Sequence, residues 1–198
     1  MVNIWTSIIK RKWMLQFLVT ILFVGIIVGV IFYTKQGDFN KNSITSSMNL
    51  FLENFSGNKI NNLITHLLVT IIILVLGVLI IGTPLAIIYL FYEGLTIGFS
   101  LAVFYSTYKF SGIVFGLIFN RILKIIYINL LILFVIKIID ITRNIIGSLI
   151  YKKDSNIKKY LYQNLKTALI LIIIILINDI ALYYLGSKVM KIFLFLIR

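Results

Sequence analysis

The chain contains no cysteine and a single histidine, His66. The absence of cysteine excludes disulfides, thiolate nucleophiles and thiolate metal sites. One histidine leaves nothing from which to build a histidine-based catalytic pair or metal centre. No HExxH, GxSxG, phosphate-binding loop or dinucleotide-binding glycine pattern is present. The sequence therefore predicts a protein that is not an enzyme and that uses no metal or cofactor.

Acidic residues and proline are also scarce. The chain has 6 acidic residues against 19 basic ones, a formal net charge of +13, and one proline. Apolar residues make up 61% of its 198 positions, whereas soluble domains are about 45–50% apolar. We therefore expect the fold to face lipid. Cytoplasmic loops of membrane proteins collect Lys and Arg, so the charge indicates contact with anionic membrane lipid and not with nucleic acid.

The hydrophobic stretches predict an all-α, polytopic integral membrane protein with about five transmembrane helices in a single membrane domain. Its start lacks the pattern of a cleaved signal peptide, so the first stretch is expected to remain as an anchor. Gly82-Thr83-Pro84 predicts a turn between the second and third spans, and Gly186-Ser187-Lys188 predicts a break after the fifth. The predicted spans are residues 13–33, 64–81, 85–105, 122–141 and 167–185.

The polar segments predict the orientation. Residues 1–12 favour a short interfacial helix over a basic tail, and residues 143–166 form the most basic loop. The positive-inside rule places both in the cytoplasm, with the polar segment 34–62 and the C-terminus outside. Within 34–62 an apolar helical spacing predicts an amphipathic helix on the membrane or on a partner. That spacing is formed by Ile44, Met48, Phe51, Leu52 and Phe55.

The region between the third and fourth spans allows two interpretations. Residues 105–111 predict a short outer loop, and the apolar run that follows is interrupted by Arg121 and Lys124. Either one long helix carries two buried cations, or a re-entrant element precedes the true span. Irregular backbone at membrane depth needs protein or water around it.

Ionisable side chains inside spans are expensive and are functional hypotheses by default. Glu93 lies in the middle of the third span and Asp179 lies deep in the fifth. Arg121 and Lys124 are their candidate partners in the bundle. In a transporter, Glu93 or Asp179 would be an ion ligand or proton carrier; in a structural role, each would fix helix packing. The structural role is favoured, because neither has a second carboxylate within one helical turn.

Two further patterns concern packing. Asp140 lies one turn from Lys137 and from Arg143, so local ion pairing explains it. Glycine pairs four residues apart allow helix backbones to approach closely. They occur at Gly25 and Gly29, at Gly94 and Gly98, and at Gly112 and Gly116.

The segment from residue 80 to residue 99 carries a resemblance to a known family. It contains Gly82-Thr83-Pro84, an apolar stretch, and then Glu93-Gly94-Leu95-Thr96-Ile97-Gly98-Phe99. This pattern resembles the stage II sporulation protein M family, whose members share a Gly-x-Pro turn followed by a polar residue and Gly-x-x-x-Gly-Phe. The match covers about residues 77–105, and the rest agrees only in layout. A proline that the family often carries in its fourth element is missing here.

The resemblance implies a non-enzymatic membrane scaffold active during engulfment. Such a protein sits in the sporulation septum on the mother-cell side and localises stage II sporulation proteins D and P, which degrade peptidoglycan. The family supplies no catalytic residue to carry over. The residues that match its motif, expected to be structural or partner-binding, are Gly82, Pro84, Glu93, Gly94 and Gly98. The alternative is a small transporter, or a transporter membrane subunit, with a midplane site around Glu93. Self-association is left open.

Overall fold

The computed structural model describes the backbone of residues 4–53, 59–118, 124–151 and 157–197, and the side chains of residues 12–47, 64–112, 126–148 and 159–181. All regular structure in these ranges is helical. The helices are α1 (Ile4–Thr34), α2 (Asp38–Glu53), α3 (Lys59–Val78), α4 (Gly82–Ile118), α5 (Lys124–Tyr151) and α6 (Ile157–Ile197). The expectation of an all-α fold is confirmed for this part of the chain.

The apolar surface of the helices identifies the medium around them. Within the described ranges, Lys12–Thr34, Gly82–Gly112 and Lys159–Ala181 are long and apolar enough to cross a membrane. Ile64–Val78 in α3 is a shorter apolar helix. Large apolar side chains such as Phe23 in α1 and Ile173 in α6 are more than half exposed. Both helices also bury residues in the core, so these exposed side chains form an additional apolar surface, which indicates that the protein is embedded in a membrane.

Helices α3 and α4 form an antiparallel hairpin. The turn comprises residues 79–81, just before the predicted Gly82-Thr83-Pro84, and Ile80 adopts a positive φ of 71°. Pro84 lies in the first turn of α4, where its missing N–H costs no helical hydrogen bond. Gly82 lies against the backbone of Gly77, which leaves no room for a Cβ. The predicted position of the turn was therefore wrong: Gly82, Thr83 and Pro84 begin α4, and the turn lies immediately before them.

Contacts between named residues give the relative directions of the helices. Leu22 of α1 lies against Gly94 of α4, and Tyr33 of α1 packs with Val103 further along, so α1 is parallel to α4. Helix α5 is antiparallel to α4, and α6 in turn is antiparallel to α5. Lys12 and the start of α4 therefore lie at the same end of the bundle as the 79–81 turn. We refer to this as the turn end.

The closest helix contact joins α1 and α4. A Cβ added at Gly25 or Gly29 would collide with backbone atoms of Phe91 or Leu95. A Cβ at Gly98 would collide with the carbonyl of Ile26 in the same way. Two of the three predicted glycine pairs thus face one another within a single chain. The interface has the close backbone approach expected of small residues four apart.

Helix α5 lies at the centre of the remaining helices. Leu131, Phe134, Val135 and Ile138 of this helix are completely buried in the main apolar core, which includes residues of α1, α3, α4 and α6. Near the turn end, the buried Thr142 hydroxyl donates to the carbonyl of Gly77 at 3.1 Å and accepts from Thr83 at 2.9 Å. This chain of bonds fixes the α3–α4 hairpin against α5.

Three segments predicted to be irregular are mainly helical. In the predicted loop 143–166, α5 continues to Tyr151 and α6 begins at Ile157, with residues 152–156 outside the described part. The predicted break at 186–188 lies inside α6, and the predicted loop 105–111 is reduced to a kink at Lys109, with φ 54° and ψ −133°. Lys and Arg are good helix formers, and one glycine costs a helix only about 1 kcal/mol. Polar residues here mark where a helix leaves the lipid and not where it ends.

The region that allowed two interpretations contains the end of one helix and the start of another. The end of α4 stops at Ile118, α5 starts at Lys124, and Arg121 falls outside the described residues. The segment after the Lys109 kink folds back so that Gly112 contacts the carbonyl of Phe104. Because residues 119–123 lie outside the described part, the choice between one long helix and a re-entrant element before the fourth span stays open.

The helix predicted in the polar segment 34–62 is present as α2. It packs on the main bundle through Ile44, which contacts a small apolar cluster of Tyr33, Ala102 and Val103. Predicted helix residue Phe55 lies outside the described residues. The segment 1–12 is not a separate helix, since its described residues form the start of α1 and continue into the first apolar stretch.

Candidate functional site

Glu93 is the most deeply buried acidic side chain in the described part of the protein. Only 3% of the residue is exposed, and it lies in the middle of α4 on a face directed away from α1. The neighbouring Gly94 contacts α1, so consecutive residues of this helix serve two different interfaces. A carboxylate at this depth needs partners from other helices, because lipid offers none.

His66 of α3 lies between two carboxylates. Its Nε2 is 3.8 Å from Oε1 of Glu93, and its Nδ1 is 3.3 Å from Oδ2 of Asp179 in α6. The second distance is within hydrogen-bond range, while the first is an electrostatic contact. One imidazole thus connects α4 and α6, which carry the two acidic residues singled out in the sequence. The carboxylates are about 90 residues apart in sequence, yet both contact the same ring.

Two tyrosines complete this group. The Tyr127 hydroxyl of α5 donates to Oε1 of Glu93 at 3.2 Å, and the Tyr89 and Tyr127 hydroxyls are 3.0 Å apart. Since the Tyr127 proton is directed to Glu93, Tyr89 is the donor in the second bond. The rings of His66 and Tyr127 are stacked at 5.3 Å between centroids. We call His66, Tyr89, Glu93, Tyr127 and Asp179 the intramembrane polar cluster.

The polar cluster lies well away from the turn end of the bundle. Glu93 is eleven residues from the start of α4 and His66 is twelve residues from the end of α3. At 1.5 Å per residue, both lie about 17 Å from the turn end, a distance close to half of the hydrocarbon thickness of a bilayer, about 30 Å. The void beside Asp179, bordered by Leu67 and Thr70, has no space for a water molecule.

The composition of the cluster defines its chemistry. It combines two carboxylates, which accept hydrogen bonds, with one imidazole and two hydroxyls, which can donate them. Net charge in hydrocarbon is costly, so donors on neighbouring helices offset part of the cost of burying Glu93 and Asp179. Among the described residues, no group of three His, Cys, Asp or Glu side chains could hold a metal ion.

The other ionisable residues singled out in the sequence lie elsewhere. Arg121 is outside the described residues, and Lys124 opens α5 but its side chain is not described, so their predicted pairing with Glu93 or Asp179 stays a prediction. The Asp140 carboxylate is 3.9 Å from the Lys137 ammonium, as the local pairing predicted. This pair is near the turn end and takes no part in the polar cluster.

The five motif residues divide into two groups. Gly82 and Pro84 form the start of α4 beside the turn, while Gly94 and Gly98 provide its close contact with α1. Glu93 is the single motif residue in the polar cluster. The described contacts of Gly82, Gly94, Gly98 and Glu93 join α4 to α1, α3 and α5.

Sequence reasoning identified both carboxylates but missed His66, Tyr89 and Tyr127. The sequence places His66 near the start of the predicted span 64–81, and nothing in that span links it to Glu93. A signal was available: His66 and Glu93 are fourteen and thirteen residues from Ile80, the centre of a tight turn. In an antiparallel hairpin, residues equally far from the turn lie at the same depth. Comparison with models of protein families, with curated proteins and with solved structures found no significant match.

Proposed function

We propose that this protein is a non-enzymatic membrane scaffold with five spans, an N-terminus in the cytoplasm and a C-terminus outside. In this role it recruits stage II sporulation proteins D and P to the mother-cell side of the sporulation septum during engulfment. The specific partners and location derive from the sequence resemblance. The observation that carries the scaffold role is that the motif residues of α4 serve packing within the chain.

The directions of the helices support the proposed topology. Helices α1, α4 and α6 run one way, and α3 and α5 run the other, as five consecutive crossings require. Lys12 lies at the turn end, as do the basic residues on α5 and α6 near the Lys137–Asp140 pair. By the positive-inside rule this end belongs in the cytoplasm, and α2 then lies on the outer side.

The rigidity of α4 supports the scaffold role. One face of α4 is locked against α1 by glycines, and the other is tied to three helices through Glu93 and its partners. On the outer side, α2 is held to this platform by Ile44 and presents Phe39, which is 86% exposed. An exposed aromatic on a fixed amphipathic helix is a suitable contact for an extracytoplasmic partner.

Co-purification tests this proposal. The detergent-solubilised full chain should retain stage II sporulation proteins D and P, and Phe39→Ser should reduce their recovery several-fold. Tyr162→Ser is the matched control, because Tyr162 is also a largely exposed aromatic (68%) but lies near the turn end. Its recovery of partners should equal that of the unmodified chain. If neither partner is recovered with the unmodified chain, the scaffold assignment is wrong.

The topology has a separate test. The chain has no cysteine, so single cysteines at Ser46 and Lys159 can be labelled without background. A membrane-impermeant thiol reagent should reach the residue at 46 from outside, and the residue at 159 only after the membrane is opened. Labelling of both positions from the same side would contradict the five-span topology.

The polar cluster favours a second candidate function, proton-coupled transport. Glu93 and Asp179 share His66 near the midplane, where transporters place their coupling sites. In this case proteoliposomes containing the protein would dissipate a pH gradient, and Glu93→Gln would abolish the flux. Asp140→Asn is the control, because it removes a carboxylate outside the cluster. Flux that is absent, or that persists in Glu93→Gln, would exclude this function.

A further inference from the structure

A polar cleft separates α5 and α6 at the turn end. It has a volume of about 800 Å³ and is open on one side. Its charged lining comprises Lys137, Arg143 and Lys166 against the single carboxylate of Asp140. Asn and Gln amides and the Tyr160 hydroxyl supply further hydrogen-bond donors. The cleft is distinct from the polar cluster, which lies deeper and on other faces of the helices.

The positive charge of the cleft is only partly balanced. Lys137 is 3.9 Å from Asp140 and also donates to Oδ1 of Asn164 at 3.4 Å. Arg143 and Lys166 form no ion pair with any carboxylate in the described part of the chain, and both are exposed. Among the described residues, Arg143 and Lys166 are thus the two cations that no carboxylate balances, and a guanidinium matches the oxygens of a phosphate in a bidentate manner.

The depth of the cleft corresponds to the membrane surface. Thr142 of α5 is bonded to Gly77 and Thr83 at the end of the α3–α4 hairpin, and Asp140 and Arg143 are next to it in sequence. The exposed Tyr160 is of the residue type that is enriched at the headgroup level. A ligand in the cleft would therefore lie among lipid headgroups.

An apolar surface continues from the cleft along α6. Ile170 lines the cleft and is 46% exposed, and Ile173 and Ile174, one turn deeper, are 58% and 40% exposed. A phosphate headgroup bound by the cations would place its acyl chains along this surface. Free phosphate would use the cations but not the isoleucines. Basic pockets between transmembrane helices are known to hold anionic headgroups.

We propose that the α5–α6 cleft is a binding site for the phosphodiester headgroup of an anionic phospholipid, with Arg143 and Lys166 as its main ligands. This proposal depends on membrane embedding and not on the scaffold or transport function. Asp140 weakens the site by neutralising Lys137, so its removal is expected to strengthen binding.

Native mass spectrometry of the full chain in non-ionic detergent tests the site. Phosphatidylglycerol should bind in preference to phosphatidylcholine, and inorganic phosphate at the same concentration should not compete. Arg143→Gln with Lys166→Gln should weaken phosphatidylglycerol binding about 30-fold, since each basic residue near the surface accounts for about a fivefold change in affinity. Lys35→Gln with Lys41→Gln, which removes the same charge at the opposite end, should leave affinity unchanged.

A gain of affinity cannot result from misfolding, so Asp140→Asn provides the sharper measurement. It should tighten phosphatidylglycerol binding about fivefold, as expected for one unit of charge near the surface. Equal losses in both double variants, equal binding of phosphatidylcholine, or no gain in Asp140→Asn would overturn the proposal. Competition by inorganic phosphate would also overturn it, since the cleft would then be a site for a free anion.

Discussion

The two interfaces of α4 hold the bundle together in different ways. On one face, Gly94 and Gly98 bring the α1 backbone into direct contact, and the stabilisation is van der Waals packing of polypeptide on polypeptide. On the other face, Glu93 contacts His66 and Tyr127 through polar side chains. The first interface tolerates no added atom, whereas the second depends on particular functional groups. Stability should therefore depend on side-chain size at the glycine interface and on hydrogen-bonding groups at the polar interface.

The largest effect is expected at the glycine interface. Gly98→Ala places a methyl group on the Ile26 carbonyl and should lower the free energy of unfolding by about 3 kcal/mol, because neither backbone can yield. The free energy can be measured by sodium dodecyl sulfate titration in mixed micelles, followed by circular dichroism.

Gly147→Ala is the matched control for this substitution. Gly147 lies inside α5 with nothing within 4 Å of an added Cβ, so alanine should stabilise the helix by up to about 1 kcal/mol. Effects of the same sign and size at both positions would show that α1 and α4 do not touch as described.

A smaller effect is expected at the polar interface. Glu93→Ala removes a carboxylate that contacts both His66 and Tyr127. It should lower the free energy of unfolding by about 2 kcal/mol, a value between the cost of breaking a buried ion pair in a soluble protein and that of losing a polar contact between membrane helices. Glu93→Gln keeps an acceptor for Tyr127 and should cost less than half as much in the same titration. Equal losses for alanine and glutamine would mean that shape, not polarity, determines this interface.

Tyr127→Phe examines one hydroxyl of the cluster. It removes the donor to Glu93 and the acceptor of Tyr89 and keeps the ring stacked on His66, so the expected loss is about 1.2 kcal/mol, from about 0.6 kcal/mol for each of two hydrogen bonds between membrane helices. A double-mutant cycle with Glu93→Ala, which removes the acceptor, measures the coupling between Tyr127 and Glu93, and this coupling should account for about half of that loss. Additive effects would indicate that the two groups are not bonded.

The smallest effect concerns the point where α4 bends away from both interfaces. Lys109 has φ 54° and ψ −133°, which is unfavourable for a residue with a Cβ. Lys109→Gly should stabilise the protein by about 0.5 kcal/mol, since relief of strain exceeds the entropic cost of glycine by that amount. Lys109→Ala retains the strain and should show no gain. A gain of stability for alanine equal to that for glycine would show that the backbone of Lys109 is not strained.

The glycine interface could be anticipated from sequence more easily than the polar one. The four-residue spacing of Gly25 and Gly29 and of Gly94 and Gly98 indicates a close helix contact, although it does not say which helices meet. Hydropathy located the helices, because an apolar run long enough to cross a membrane is a property of local sequence. Helix ends were less predictable, since basic residues continue a helix beyond the lipid.

Only the two carboxylates of the polar cluster could be predicted from the sequence. A charged residue in an apolar run is conspicuous, so Glu93 and Asp179 could be identified one by one. Tyrosine is common in this chain, with 11 copies, and no local pattern sets Tyr127 apart from the others. Its role depends on how α5 is rotated against α4, which is a tertiary property. His66 required knowledge of where the chain turns.

The composition of the α3–α4 turn has a consequence for how the chain sits in the bilayer. Leu79, Ile80 and Ile81 are all exposed, and none of them can interact favourably with water. Its backbone is partly bonded within the protein, since the amide of Leu79 donates to Leu76 and the Thr142 hydroxyl donates to the Gly77 carbonyl. The hairpin can thus lie at the boundary between acyl chains and headgroups, level with its polar neighbours on α5 and α6. An apolar tip of this kind resists being drawn into water, so it helps to fix the depth of the bundle in its leaflet.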